Sequence, residues 1–325
     1  MVNRRCFLAT GAAALGAALT SGSSELLGVN KQNFLPFPSS GLPSREFGST
    51  GARVSLITFG GGGRWAGLQE DSALQVLTTA LQRGVNCIDT AYSYGRSEEI
   101  IGKILPEWRS KVILHTKVAT RDPNQWWRHL ETSLNRLGAD YVDTLMVHQL
   151  EGPDDLARLE VKDGPFELLH RAKEQNLCRW IGVSTHTDWK VLLEAHRRHK
   201  FDHVVMSLNV ATNEYTDLGF EENALPVLAG DGVAITAMKA LGVGRIVNAH
   251  PDFDYRTCIR YSLSLPGVHT VTVTMPNLQH MHDDVDTAAW FEPFGADELD
   301  ALKAKAAGEV REAFREFMRT HTDLA

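Results

Sequence analysis

Cys87-Ile88-Asp89-Thr90-Ala91-Tyr92-Ser93-Tyr94-Gly95 is the stretch whose reading decides the fold. Val85, Cys87 and Ile88 form a short apolar run of the kind a buried strand needs, and Ser93-Tyr94-Gly95 breaks it into a turn that opens a helix near Ser97. A carboxylate, Asp89, therefore closes a strand, and a phenol, Tyr94, stands in the loop behind it. In a parallel α/β barrel the carboxyl ends of the strands carry the chemistry, because their loops converge on one open face. Taken singly, an Asp in such a place is an ordinary cap and a Tyr an ordinary half-buried ring. The stretch gains its meaning from the pattern that recurs around it.

Upstream, Leu56 to Gly60 reads as a first strand, and Gly60-Gly61-Gly62-Gly63 as a loop where backbone can lie close to a ligand. Before it, Ser44 to Ser55 makes two short extended pieces around Gly51, a hairpin signal. Downstream, further strand-like runs cover 112–117, 142–148, 179–184, 203–209, 233–238 and 268–274, with the second strand at 85–90. Helical patterns lie between them, at 71–83, at 98–105 with Pro106 as its stop, at 123–137 with Trp126, Leu130, Leu134 and Leu137 on one face, and at 166–175. The tail from Ala296 to Met318 reads as one charged amphipathic helix. Eight strand–helix units predict an α/β fold, a (β/α)8 TIM barrel with an N-terminal β-hairpin and an extra C-terminal helix. The length of 325 residues suffices, since such a barrel takes about 250.

Composition narrows the function. With 33 Lys and Arg against 40 Asp and Glu the net charge is −7, and no basic run follows the first few residues, so a nucleic-acid partner is not expected. Cys6, Cys87, Cys178 and Cys258 are scattered, without a Cys-x-x-Cys pair, which leaves a zinc site or an iron–sulfur cluster short of ligands and predicts buried free thiols. His196 and His199 share one helical face that reads as solvated. Arg4-Arg5-Cys6-Phe7-Leu8, followed by an Ala- and Gly-rich segment and by Thr20-Ser21-Gly22-Ser23-Ser24, resembles a twin-arginine export signal. The domain reading is therefore 1–30 as signal and linker and 31–325 as barrel, with a periplasmic or otherwise exported location, the cytoplasm as the alternative, and only transient membrane contact through the signal.

Two more ionisable side chains end strands. Lys117 closes the apolar run Val112 to Thr116, where an unpaired ammonium would be costly to bury, and His148 closes Val142 to Val147. Neighbouring strand ends would bring Asp89, Tyr94, Lys117 and His148 to one rim. A free phenol has a pKa of about 10, and a nearby cation makes it a usable acid near neutrality by stabilising its phenolate. Lys117 supplies a cation, Asp89 a counter-charge for it, and a neutral His148 a hydrogen bond that orients a carbonyl oxygen.

Asp89-Thr90-Ala91 with Tyr94-Gly95, the strand ending Thr116-Lys117, and Tyr141 to His148 together resemble the signatures of the aldo-keto reductase family, over about residues 44 to 290. The resemblance implies that Asp89, Tyr94, Lys117 and His148 are catalytic. It also implies a nicotinamide cofactor bound across the barrel top without a Gly-rich Rossmann turn, held at Gly61, Gly62, Ser184, Thr185, Asn209, Met238, Lys239 and Asn277. Several of these depart from the family pattern: Thr185 and His186 follow Ser184 in place of Asn, Met238 replaces a stacking Tyr, and Met275-Pro276-Asn277 lacks the Arg that grips a 2′-phosphate. NADP is the expected cofactor and NAD the alternative, with a small carbonyl compound or sugar as substrate. A non-redox sugar-modifying enzyme and a catalytically silent binding module are the rival readings.

Overall fold

The computed structural model describes residues 34–37, 39–212, 219–247 and 249–321; the export-signal reading of residues 1–30 lies outside them. A hairpin comes first, β1 (Ser44–Glu46) against β2 (Arg53–Ser55), with Arg45 opposite Val54. Eight parallel strands then close on themselves: β3 (Ile57–Gly60), β4 (Cys87–Asp89), β5 (Ile113–Val118), β6 (Val142–Val147), β7 (Cys178–Thr185), β8 (His203–Ser207), β9 (Ala234–Met238) and β10 (Thr270–Thr274), which pairs back onto β3. Every residue of β5 and β6 is buried, as expected for parallel strands filled on the inside and covered by helices on the outside. The (β/α)8 fold, with its hairpin, is the one the sequence predicts.

Helices α1 (Gly63–Ala66) and α2 (Glu70–Gln82) follow β3, and α3 (Ser97–Trp108) follows β4. Next come α4 (Pro123–Leu137), α5 (Pro153–Leu159), α6 (Pro165–Glu174), α7 (Trp189–His199), α8 (Leu225–Gly230), α9 (Tyr255–Ser264) and α10 (Leu278–Ala289). Helix α4 shows how local chemistry sets these bounds. The Asp122 carboxylate accepts the Asn124 N–H at 2.9 Å, Pro123 occupies the first turn where its missing N–H is no loss, and Gly138 ends the helix at φ 61°.

The hairpin plugs the amino-terminal mouth of the barrel. Phe47 is fully buried there, stacked on His115 with centroids 5.8 Å apart and edge-on to His203 at 4.7 Å. Below the plug the interior is polar but paired: His203 lies 3.3 Å from Thr144 Oγ1 and 2.8 Å from Thr236 Oγ1, and Thr58 meets Thr270 at 2.9 Å. Burial, aided by the Lys117 charge, pushes His115 down to about 3. His203 is driven well below its ordinary range by burial first and by the neighbouring His115 and Lys117 second.

Three expectations change. Helix α3 runs through Pro106 to Trp108, because the proline sits in the last turn, where buried Leu105 and the partly buried Trp108 keep the turn against the core. The tail forms two helices, α11 (Ala296–Ala306) and α12 (Glu309–Thr320), broken at Gly308, whose φ of 90° suits only glycine. The face carrying His196 and His199 is not solvated. His196 is buried with Nε2 3.2 Å from Asp231 Oδ2, and His199 reaches Glu160 Oε1 at 2.9 Å, its ring 4.3 Å from that of Phe166.

The buried imidazoles give stability a pH dependence. Their folded-state values lie below the ordinary 6.5, so the unfolded chain takes up protons that the native barrel refuses. The stability that these imidazoles contribute is complete above about pH 6.5 and is lost as pH falls from there toward 3. Denaturant titrations should show a slope of about 1.4 kcal/mol per pH unit for each proton taken up on unfolding. His115→Gln should make that slope shallower by about one proton, and an unchanged slope would show that His115 titrates normally in the barrel.

Candidate active site

The strand ladder continues past the strands and carries the functional loops with it. Gly61 N–H donates to Asp89 O (2.8 Å), Thr90 N–H to His115 O (3.0 Å), Tyr92 N–H to Lys117 O (3.1 Å) and His148 N–H to Val118 O (3.0 Å). The loop after β4 is thereby laid over the end of β5, which brings Tyr94 above Lys117. Lys117, 2% exposed, donates from Nζ to Asp89 Oδ2 at 2.7 Å and to Thr90 O at 2.9 Å. The same Nζ lies 5.0 Å from the centre of the Tyr94 ring. The Tyr94 hydroxyl is 3.5 Å from His148 Nε2, and Ser93 Oγ is 3.2 Å from Nδ1 of that ring. All four side chains expected at the rim meet there.

Two buried charged groups hold this rim. Arg121 donates to the carbonyls of Ala119 (2.6 Å), His148 (2.9 Å) and Gln149 (2.7 Å), and forks onto Asp155 at 2.8 and 2.6 Å, tying the loops after β5 and β6 to α5. Glu98, fully buried on α3, accepts from Thr116 Oγ1 at 2.7 Å, and burial raises its pKa. Thr116 faces the helices while Lys117 faces the barrel, so the strand alternation that buries one anchors the other.

The glycines after β3 serve this packing. A Cβ on Gly62 would lie 2.9 Å from Tyr94 Cε2, and one on Gly61 would lie 2.7 Å from Ser97 Oγ. The Tyr94 ring and the Ser97 hydroxyl thus lie where side chains at these two positions would stand.

The other expected cofactor positions fall into two groups. Thr185 and Asn209 bond to loop backbone: Thr185 Oγ1 donates to Leu150 O after β6 at 2.6 Å, while Asn209 gives Nδ2 to Lys239 O after β9 and takes Ala211 N–H of its own loop on Oδ1, both at 2.9 Å. Ser184, Met238, Lys239 and Asn277 face the rim side of their strands or begin a helix there. Ser184 Oγ accepts the Gln149 N–H at 2.9 Å, Met238 packs with Met146 and Val205, and Asn277 caps α10 by accepting the His280 N–H at 2.9 Å. Lys239 Nζ donates to His321 Nε2 at 3.1 Å, just past the end of α12, and the His321 ring is 5.6 Å from that of buried His186.

Residues 56–256 match the Aldo/keto reductase family. The chain belongs to that family. It is 37% identical over 154 residues to Aldo-keto reductase YhdN of Bacillus subtilis, a match spanning 43% of this chain and 45% of that relative. Over 304 residues, 81% of this chain and 93% of the other, it is 24% identical to L-galactose dehydrogenase of Arabidopsis thaliana. Its fold superposes on the holo form of an aldo-keto reductase from Bacillus halodurans with a TM-score of 0.69 at 22% identity, over 84% of this chain and 99% of that one.

For an aldo-keto reductase of this sequence, several site residues are visible only in three dimensions. Ser93 and Arg121 are ordinary loop residues until the fold sets them against His148, and His321 gains its place only because α12 breaks away from α11 at Gly308. The neighbour of Tyr94 in the quoted stretch was the one signal for Ser93; nothing local points to His321.

Asp89→Asn leaves the Lys117 ammonium buried without its counter-charge. It should cost about 3–5 kcal/mol in denaturant unfolding, whereas Asp89→Asn with Lys117→Met should recover most of that loss. Equal stability of the single and double variants would mean that the pair is not electrostatically coupled. Gly62→Ala is compatible with the backbone (φ −92°, ψ −169°), so its effect comes from displacing the Tyr94 ring. Turnover should fall by about 10²-fold with little change in thermal midpoint, and full turnover would mean that the ring position is not critical.

Proposed function

We propose that this aldo-keto reductase is a nicotinamide-dependent oxidoreductase that interconverts a carbonyl and an alcohol, with an aldehyde, ketone or sugar as substrate. The observation that carries the reading is the meeting of Tyr94, His148 and the Lys117–Asp89 pair at one rim. That a full-length relative is an L-galactose dehydrogenase supports the inclusion of sugars.

The residues around the rim fit a dinucleotide. Ser184, whose Oγ already accepts from Gln149 N–H, retains its hydroxyl proton to donate to a carboxamide oxygen. Met238, 9% exposed over Met146 and Val205, offers a polarisable apolar surface for a flat ring. Lys239 and the first turn of α10 offer a cation and backbone donors for phosphate oxygens. NADP is the proposed cofactor and NAD the alternative. Bound there, the nicotinamide supplies the hydride for the carbonyl carbon.

The chain's own residues manage the proton. As the carbon–oxygen double bond opens, Tyr94 gives its hydroxyl proton to the oxygen, completing the alcohol, and the remaining phenolate is stabilised by the Lys117 ammonium. Asp89 accepts from that ammonium at 2.7 Å and holds it in place at 2% exposure. His148 holds the same oxygen in line through Nε2. In the oxidative direction the phenolate takes the alcohol proton back. Solvent reprotonates Tyr94 after each reduction.

Purified protein assayed with NADPH or NADH against a panel of aldehydes and aldoses should oxidise the cofactor in step with alcohol formation. Tyr94→Phe should bind the cofactor with unchanged affinity yet lose about 10²–10⁴-fold in kcat/KM. A Phe variant that reduces carbonyls at the parent rate would place the acid elsewhere, and product formed without cofactor would favour the non-redox reading.

A further inference from the structure

Ser93 stands on the far side of the His148 ring from the Tyr94 hydroxyl, and proton transfer as described leaves it no task. It precedes Tyr94 in the loop after β4, half-buried, with Oγ 3.2 Å from His148 Nδ1. The other ring nitrogen faces the Tyr94 hydroxyl at 3.5 Å. The His148 backbone is clamped on both sides, its N–H on Val118 O at 3.0 Å and its carbonyl on Arg121 Nη1 at 2.9 Å. The main chain is therefore fixed, and what stays open is where the ring carries its proton.

A neutral imidazole has two tautomers, and here they act in opposite ways. With the proton on Nε2 the ring presents a donor beside Tyr94. A substrate oxygen then meets two donors, Nε2–H and the phenolic O–H. With the proton on Nδ1, Nε2 is a lone pair facing the phenol, and the Tyr94 proton is drawn to the ring instead of the substrate. The first arrangement needs a donor for the bare Nδ1, because a polar nitrogen stripped of its partner is disfavoured. A backbone carbonyl, the frequent orienting partner of Nδ1, is acceptor only and would impose the second tautomer. A hydroxyl has a proton to give.

We propose that Ser93 is a positioning residue: by donating its Oγ–H to Nδ1 it holds His148 as the Nε2–H tautomer and keeps the Tyr94 proton available for the substrate oxygen. The consequence for rate rests on the carbonyl-reduction reading. The tautomer itself is a property of the resting protein.

The test uses full-length protein labelled with ¹⁵N-histidine. Long-range ¹H–¹⁵N correlation reports which ring nitrogen is protonated, with the His148 signals assigned by their loss in His148→Asn. The parent should carry its proton on Nε2, Ser93→Ala should shift the population toward Nδ1–H, and Ser93→Thr, which keeps the hydroxyl, should restore it. In turnover with NADPH and an aldehyde, Ser93→Ala should lower kcat about tenfold with KM little changed, and Ser93→Thr should recover it. A parent ring protonated on Nδ1, or an Ala variant with unchanged tautomer, overturns the proposal whatever the rates show. Loss in Ser93→Ala that Ser93→Thr does not repair also overturns it, since packing alone would then be at work. If no carbonyl is reduced by any form, the functional reading fails while the spectra still decide the role of Ser93.

Discussion

The structure depends on one buried ion pair. An ammonium at 2% exposure inside a barrel is tolerable only with a counter-charge in direct contact, and the Lys117–Asp89 bond at 2.7 Å supplies it. The two residues come from adjacent parallel strands, in which Asp89 is paired with His115 and Lys117 with Met146. A slip of one residue in either strand would turn a charge outward into the helix layer, so the pair specifies register as well as charge. Removing both charges would give a simpler core. Retaining them makes sense where a cation is wanted beside a phenol.

That requirement propagates outward. The Tyr92 N–H on Lys117 O continues the ladder beyond β4 and lays the loop across the charge, and Gly62 has no side chain because the Tyr94 ring occupies its place. Arg121 gathers three carbonyls from the neighbouring loops and pairs with Asp155, so the His148 main chain is fixed by a second buried charge network. The two ends of the barrel divide their duties. The amino-terminal end is sealed by Phe47 over imidazoles and hydroxyls that satisfy one another, and the carboxyl-terminal end keeps ionisable groups within reach of an open face.

The barrel is legible because its signals are local and repeated: eight apolar runs of strand length, three of them closed by an ionisable residue at the carboxyl end. Asp89, Tyr94, Lys117 and His148 were legible for the same reason, each standing where an apolar run stops. Signals that act between segments were not. His196 and His199 read as a solvated face because no carboxylate or Cys pattern in the sequence completes a metal site with them, whereas the burial of His196 comes from packing beside Phe201 and Asp231. The break at Gly308 was missed because a single glycine within a helical pattern says nothing about φ until the chain has to turn. Close approach at Gly61 and Gly62 is legible from the glycine run, but that the Tyr94 ring packs against Gly62 shows only in the fold.

The part of the rim at β8 and β9 follows a different logic from the part around Lys117. Lys239 holds a left-handed φ of 59°, a conformation that a residue with a side chain adopts at about 1–3 kcal/mol, and glycine would relieve it. Instead the Asn209 amide grips the Lys239 carbonyl at 2.9 Å and anchors its own loop through Ala211 N–H. Asn209 is thus spent on backbone geometry, and what that geometry delivers is a cation at the end of β9 that glycine would not provide. The departures from the family pattern noted in the sequence, at Thr185 and His186, at Met238 and at Met275 to Asn277, fall at the carboxyl ends of β7, β9 and β10. At the proton-handling positions a phenol, an ammonium and a carboxylate cannot stand in for one another.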